Sequence, residues 1–127
     1  MKTVIYTKDA PEPIGPYSQA IRMGDILFCS GQIAIDPKNN QVLKGSVQVQ
    51  TEQVMKNIEA VLTKADLGLS NVVKTTIYLT SMSDFPTVNE IYGKYFKSDF
   101  PARTTVAVSA LPKGVNVEIE VTASYKI

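Results

Sequence analysis

A chain of 127 residues that contains no histidine and a single cysteine, Cys29, has few ways to do chemistry. Counting alone excludes Ser-His-Asp and Cys-His arrangements, and with them metal sites built from imidazole or clustered thiolates. Any general base must then be a carboxylate, a lysine, a tyrosine or a backbone group acting through water. Two residues have the types and positions to divide such work. Arg103 follows the Phe100-Pro101 turn at the opening of a short strand-like segment, and its planar, permanently charged fork suits a substrate carboxylate. Glu118, fifteen positions later, lies on the polar side of an alternating segment, across the hairpin that a Leu111-Pro112-Lys113-Gly114 turn would make. A carboxylate near an arginine there can orient a water and take its proton. Glu120 shares the face of Glu118, so spacing does not choose between them.

Four further positions belong beside these. Residues 10 to 16 hold three prolines and a glycine, a composition that restricts φ and removes backbone donors, so a stiff loop delivers Tyr17 to a defined place. Tyr17 can close over a ligand or serve as an interface aromatic. Ser30-Gly31 interrupts the strand that begins Ile26-Leu27-Phe28, and a glycine inside a strand marks a bulge or a close approach. Asn89, inside a helix and away from its caps, is placed for a tertiary hydrogen bond. Cys29 has no basic neighbour to activate its thiol and is expected to be buried and inert.

The elements that must carry these residues follow from periodicity. Apolar residues predict a hairpin from about 18 to 23 and 26 to 35, and an amphipathic helix from Val47 to Ala65, stopped by Gly68. Val73, Thr75, Ile77 and Leu79 alternate with polar partners as a strand. Ser83 and Asp84 are candidate N-caps for a second helix with the stripe Phe85, Val88, Tyr92, Tyr95 and Phe96, ending near Lys97. Thr104 to Ser109 reads as a strand, and Val117, Ile119, Val121, Ala123 and Tyr125 mark one face of the last. The order β, β, α, β, α, β, β is an α+β pattern in one domain, residues 1–127. Two helices cover only one face of such a sheet, and the other carries Thr76, Tyr78 and Val106, so self-association in a closed oligomer is expected.

The charge balance is 13 basic against 12 acidic residues, with no run of like charge. That argues against nucleic-acid binding, which needs clustered lysine and arginine. No segment has the length and apolarity of a secretory signal or a membrane span, so a cytoplasmic protein that leaves membranes alone is the default expectation. Walker, dinucleotide and calcium-loop motifs are absent.

Five short motifs, taken together, make the chain resemble the reactive-intermediate deaminase family over nearly its whole length. They are Ile14-Gly15-Pro16-Tyr17-Ser18-Gln19, Cys29-Ser30-Gly31-Gln32-Ile33, Val88-Asn89-Glu90-Ile91-Tyr92, Phe100-Pro101-Ala102-Arg103-Thr104, and Leu111-Pro112-Lys113-Gly114 leading to Glu118-Ile119-Glu120. The resemblance implies a chorismate-mutase-like α+β fold, a mixed sheet with two helices on one face, and a homotrimer with clefts between subunits. It implies hydrolysis of 2-iminobutanoate and 2-iminopropanoate to 2-keto acids and ammonia, without metal or cofactor, which protects pyridoxal-phosphate enzymes from those intermediates. On the same ground Arg103 would clamp the carboxylate, Glu118 would position and deprotonate water, and Tyr17 would shield the imine end. Ser30, Gly31, Asn89 and the backbone of Thr105 would complete the pocket; family members often carry cysteine where this chain has Thr105. Two other readings stay open, a regulatory module that binds a small carboxylate and an RNA-directed nuclease or translation inhibitor.

Overall fold

Val117–Ser124 is the central strand of the molecule, and its strict alternation is the reason. Val117, Ile119, Val121 and Ala123 are buried, while Glu118, Glu120, Thr122 and Ser124 are only partly covered. The computed structural model describes residues 1–127. In chain order the strands are β1 (Lys2–Ile5), β2 (Ala20–Met23), β3 (Ile26–Cys29), β4 (Ile35–Asp36), β5 (Gln41–Val42), β6 (Val72–Leu79), β7 (Ala102–Ala107) and β8 (Val117–Ser124). The helices are α1 (Val47–Lys64) and α2 (Phe85–Tyr95). Six strands form one mixed sheet in the order β1-β2-β3-β8-β6-β7, and β4 pairs with β5 in a small separate ribbon.

Both helices pack on one face. Val54, Met55, Ile58, Val61 and Leu62 of α1, with Val88 and Tyr92 of α2, meet Leu27, Ile77, Leu79, Val117, Ile119 and Val121 of the sheet in a single core. Burial of side chains of this size contributes about 1.5 to 3 kcal/mol each, so this layer stabilises the fold. Ser46 caps α1 by accepting from the Val49 amide, which satisfies one of the free N–H groups of the first turn. The opposite face has no helix, and Phe28 on it is 54% exposed and Val106 38%. No helix is long and apolar enough to cross a membrane.

The structure corrects the sequence reading in several places. β7 and β8 do not form a hairpin: β7 runs parallel to β6, β8 antiparallel to it, and β6 lies between them. The connection leaves the end of β7, turns at Pro112–Gly114 with Lys113 at φ 61°, and returns on the far side of β6. β1 was not expected, because Lys2–Ile5 is too short and too exposed to alternate visibly; it pairs with β2. β3 stops at Cys29 instead of running to residue 35, and only an isolated bridge between Gln32 and Ile119 resumes the pairing. The second helix ends at Tyr95, and Asp84, at its N-cap, makes no side-chain capping bond. The hydroxyl that caps this region is that of Ser81, which accepts from the Ser83 amide.

Candidate active site in two halves

Arg103 stands on β7 at the edge of the sheet, in register with Thr75 of β6. Thr75 is buried under the helices, and parallel neighbours in register share a face, so the Arg103 side chain rises on the helix side. There α2 presents Phe85, Asn89 and Tyr92, spaced i, i+4 and i+7 along one helical stripe. The Arg103 Nη1 donates to Asn89 Oδ1 at 2.7 Å. Its guanidinium carbon lies 5.4 Å from the Phe85 ring centre and 5.0 Å from that of Tyr92, within cation–π range. The Tyr92 hydroxyl is in turn bonded to the Thr75 hydroxyl at 2.9 Å. Two rings and one amide therefore orient the guanidinium and leave its other N–H groups free to meet an anion. Burial raises the Tyr92 phenol above its ordinary value, opposed by the Thr75 hydrogen bond and the Arg103 charge. Phe100 and Pro101 wall the cavity over Arg103. Thr105, two residues on, has a buried hydroxyl with no partner.

Glu118 stands on β8 in register with Tyr78 of β6, on the face without helices. Its carboxylate lies over Gly31, just past the end of β3: a Cβ built there would fall 2.9 Å from Glu118 Cδ. The close approach foreseen at this glycine is thus made by the protein itself. Ser30 beside it donates through Oγ to the Ser18 carbonyl at 2.6 Å, and its amide donates to the Gln19 carbonyl at 2.9 Å. Tyr17 closes the cavity; its hydroxyl accepts from the Ile14 amide at 3.2 Å, and its ring is 47% exposed. The Glu118 carboxyl is raised above the usual carboxylate range, first by burial and second by the Glu120 charge.

The stiffness of the Tyr17 loop has a cause that sequence reasoning missed. Gln19 is 2% exposed; its Nε2 donates to the carbonyls of Thr7 at 3.0 Å, Ala10 at 3.4 Å and Pro11 at 2.9 Å, and its Oε1 accepts from the Thr7 amide at 2.7 Å. One side chain thus supplies the donors that a proline-rich segment cannot provide from its own backbone. The only signal in the sequence was a glutamine among apolar neighbours at the start of a strand. Cys29, as expected, is largely covered, and burial pushes its thiol up to about 12.

The seven predicted site residues therefore fall into two groups. Tyr17, Ser30, Gly31 and Glu118 line one cavity; Arg103 and Asn89 line another, with Thr105 on the same face. Two strand spacings and three residues of register separate Arg103 from Glu118, which puts their Cα atoms on the order of 14 Å apart. Their side chains also leave opposite faces of the sheet.

The chain matches the family model described as endoribonuclease L-PSP over residues 7–125. It is 53% identical over 126 residues to a RutC family protein of Pyrococcus horikoshii, covering 99% of each chain. It is 48% identical over 123 residues to the human protein named 2-iminobutanoate/2-iminopropanoate deaminase, covering 97% of this chain and 90% of that one. Among solved structures, a Rid family protein of unknown function from Yersinia pestis superposes with a TM-score of 0.96 at 53% identity, covering 98% of this chain and 99% of that one. With five ordered motifs, a shared fold and near-complete coverage in agreement, the chain belongs to the L-PSP family, that of the reactive-intermediate deaminases.

Proposed function

We propose that the protein hydrolyses the C=N bond of small 2-imino acids, and of their enamine tautomers, to 2-keto acids and ammonia. The observation that carries this reading is the division of labour between the two half-sites. One is an oriented guanidinium with free donors; the other is a half-buried carboxylate with raised proton affinity and a tyrosine over it. Arg103 receives the substrate carboxylate. Glu118 takes a proton from water as the water oxygen bonds to C2 and the C=N electron pair moves to nitrogen. Glu118 passes that proton to the nitrogen, giving the carbinolamine. It then takes the proton of the new hydroxyl and delivers it to the amino group as the C=O bond forms and the C–N bond breaks; ammonia leaves, the 2-keto acid remains and Glu118 is again a carboxylate. An iminium carbon is already electrophilic, so positioning and modest base assistance suffice.

Since one copy holds its two halves apart on opposite faces, the working site is built where the Arg103 face of one copy meets the Glu118 face of the next. Such a contact is heterologous, and only a closed ring completes every site. The family resemblance supports a ring of three copies. The human relative's name supports the substrate class, namely 2-iminobutanoate and 2-iminopropanoate. By the same reading the activity protects pyridoxal-phosphate enzymes in the cytoplasm and uses no cofactor.

The test couples a threonine dehydratase to this protein with semicarbazide as a competing trap for the imine. Ketobutyrate is expected to form faster with the protein present, and the gain to vanish with Arg103→Ala. Binding of 2-ketobutyrate without any acceleration would favour the carboxylate-binding regulatory module instead. Salt-sensitive cleavage of RNA would favour the nuclease reading.

A further inference from the structure

On the open face of the sheet, Tyr78 lies directly across from Glu118, close enough by register for its hydroxyl to compete for that carboxylate. It does not do so: the Tyr78 hydroxyl donates diagonally to Glu120 Oε1 at 2.8 Å. Glu118 accepts no hydrogen bond from any group of the chain, although other glutamates, Glu52 and Glu120, are each held by a tyrosine hydroxyl. The Glu118 carboxylate lies instead over Gly31.

We infer that Tyr78 and Glu120 act as a positioning pair for Glu118, the phenol holding the Glu120 carboxylate beside Glu118 and staying clear of Glu118 itself, whose lone pairs are left for water. The inference rests on the reading of Glu118 as the proton acceptor. Within one copy the titratable groups that face Glu118 are Glu120 on its own strand, Tyr78 on β6 and Tyr17 on the loop; in the ring proposed above Arg103 of the next copy joins them, and it is the same in all three proteins compared below. The phenol donates to Glu120 and so holds that carboxylate, with its charge, beside Glu118. That charge acts in the same direction as burial, strengthening Glu118 as a base. The Tyr78 phenol is itself raised, chiefly by its bond to Glu120, and therefore remains a donor at neutral pH.

The experiment follows the Glu118 side-chain carboxyl by carbon NMR through an acid titration of the intact protein, its Glu120→Gln variant and its Tyr78→Phe variant, alongside the pH profile of kcat/KM. Glu120→Gln removes the charge and keeps an acceptor for Tyr78. Tyr78→Phe removes the donor that holds the Glu120 carboxylate beside Glu118. Both variants are expected to move the Glu118 midpoint to lower pH, and the acid limb of kcat/KM with it. A midpoint unchanged in a folded Glu120→Gln variant overturns the inference; if that variant does not fold, an unchanged midpoint in Tyr78→Phe does the same. A midpoint that falls in a protein with no turnover of imino acids leaves the pair standing and overturns the deaminase reading.

Discussion

The Glu118 carboxylate lies on the backbone of Gly31, where a methyl group would come within 2.9 Å of Glu118 Cδ. The contact ties an element interrupted at Ser30-Gly31 to the start of β8. Gly31→Ala would force the carboxylate aside without straining φ, since this glycine is not among those with positive φ. Activity is expected to fall on the order of 10²-fold, the scale on which a displacement of about 1 Å acts, while the far-ultraviolet circular dichroism stays that of the parent. An active Gly31→Ala protein would show that Glu118 has no need of this position.

Arg103 is oriented by Asn89 and flanked by two aromatic rings. Arg103→Ala is expected to lower kcat/KM by the equivalent of about 2 to 5 kcal/mol, the cost of leaving a desolvated carboxylate without its partner. Arg103→Lys should recover little of this, because an ammonium cannot reproduce the bidentate fork. Steady-state rates on freshly generated 2-iminobutanoate measure both.

Placement of the halves on opposite faces of the sheet makes a sharper prediction. Arg103→Ala and Glu118→Gln proteins, each inactive alone, are expected to regain activity when unfolded together and refolded as mixed oligomers. In a closed ring with random mixing, about a quarter of the interfaces receive an intact half from each side. Equal mixtures that stay silent after verified subunit exchange would put each site within a single chain.

Glu118 also links stability to pH. Burial, then Glu120, raises its folded-state value, so the neutral form is the one the folded protein favours. That contribution is fully present below the ordinary carboxylate range and is lost as pH rises through the raised value. Glu118→Gln cannot ionise and is expected to melt above the parent at pH 7. The gain should be under about 1 kcal/mol, since a half-exposed group is screened by solvent. Thermal melts at pH 7 and pH 3.5 check this, the difference closing at the lower pH.

Gln19 anchors the proline-rich loop from beneath. Gln19→Leu leaves the Thr7 amide and several carbonyls unpaired, which should cost about 2 to 4 kcal/mol in denaturant unfolding. Activity should suffer even in the folded fraction, because the loop that carries Tyr17 is released.

Residue order was enough to define the local pieces. Period-two alternation is a direct consequence of strand geometry, so β8 was legible with its inner face and β6 from Thr75 onward; Val73, expected on that inner face, is exposed because the pairing with β8 shifts between Val72 and Lys74. The 3.6-residue stripe located α1 and most of α2. The five motifs named the side chains of the proposed site, and the missing histidine excluded imidazole chemistry by composition alone. β1 and the β4–β5 ribbon were not legible, because stretches of two to four residues are too short to carry a period. Neither was the clasp made by Gln19, whose partners lie eight to twelve positions earlier in the chain. Folding in three dimensions decided that β6 separates β7 from β8 and that β7 runs parallel to it. Strand pairing is a long-range choice made by burial of a common core, which spacing along the chain does not encode. For that reason fifteen residues that looked like one hairpin place Arg103 under α2 and Glu118 on the uncovered face.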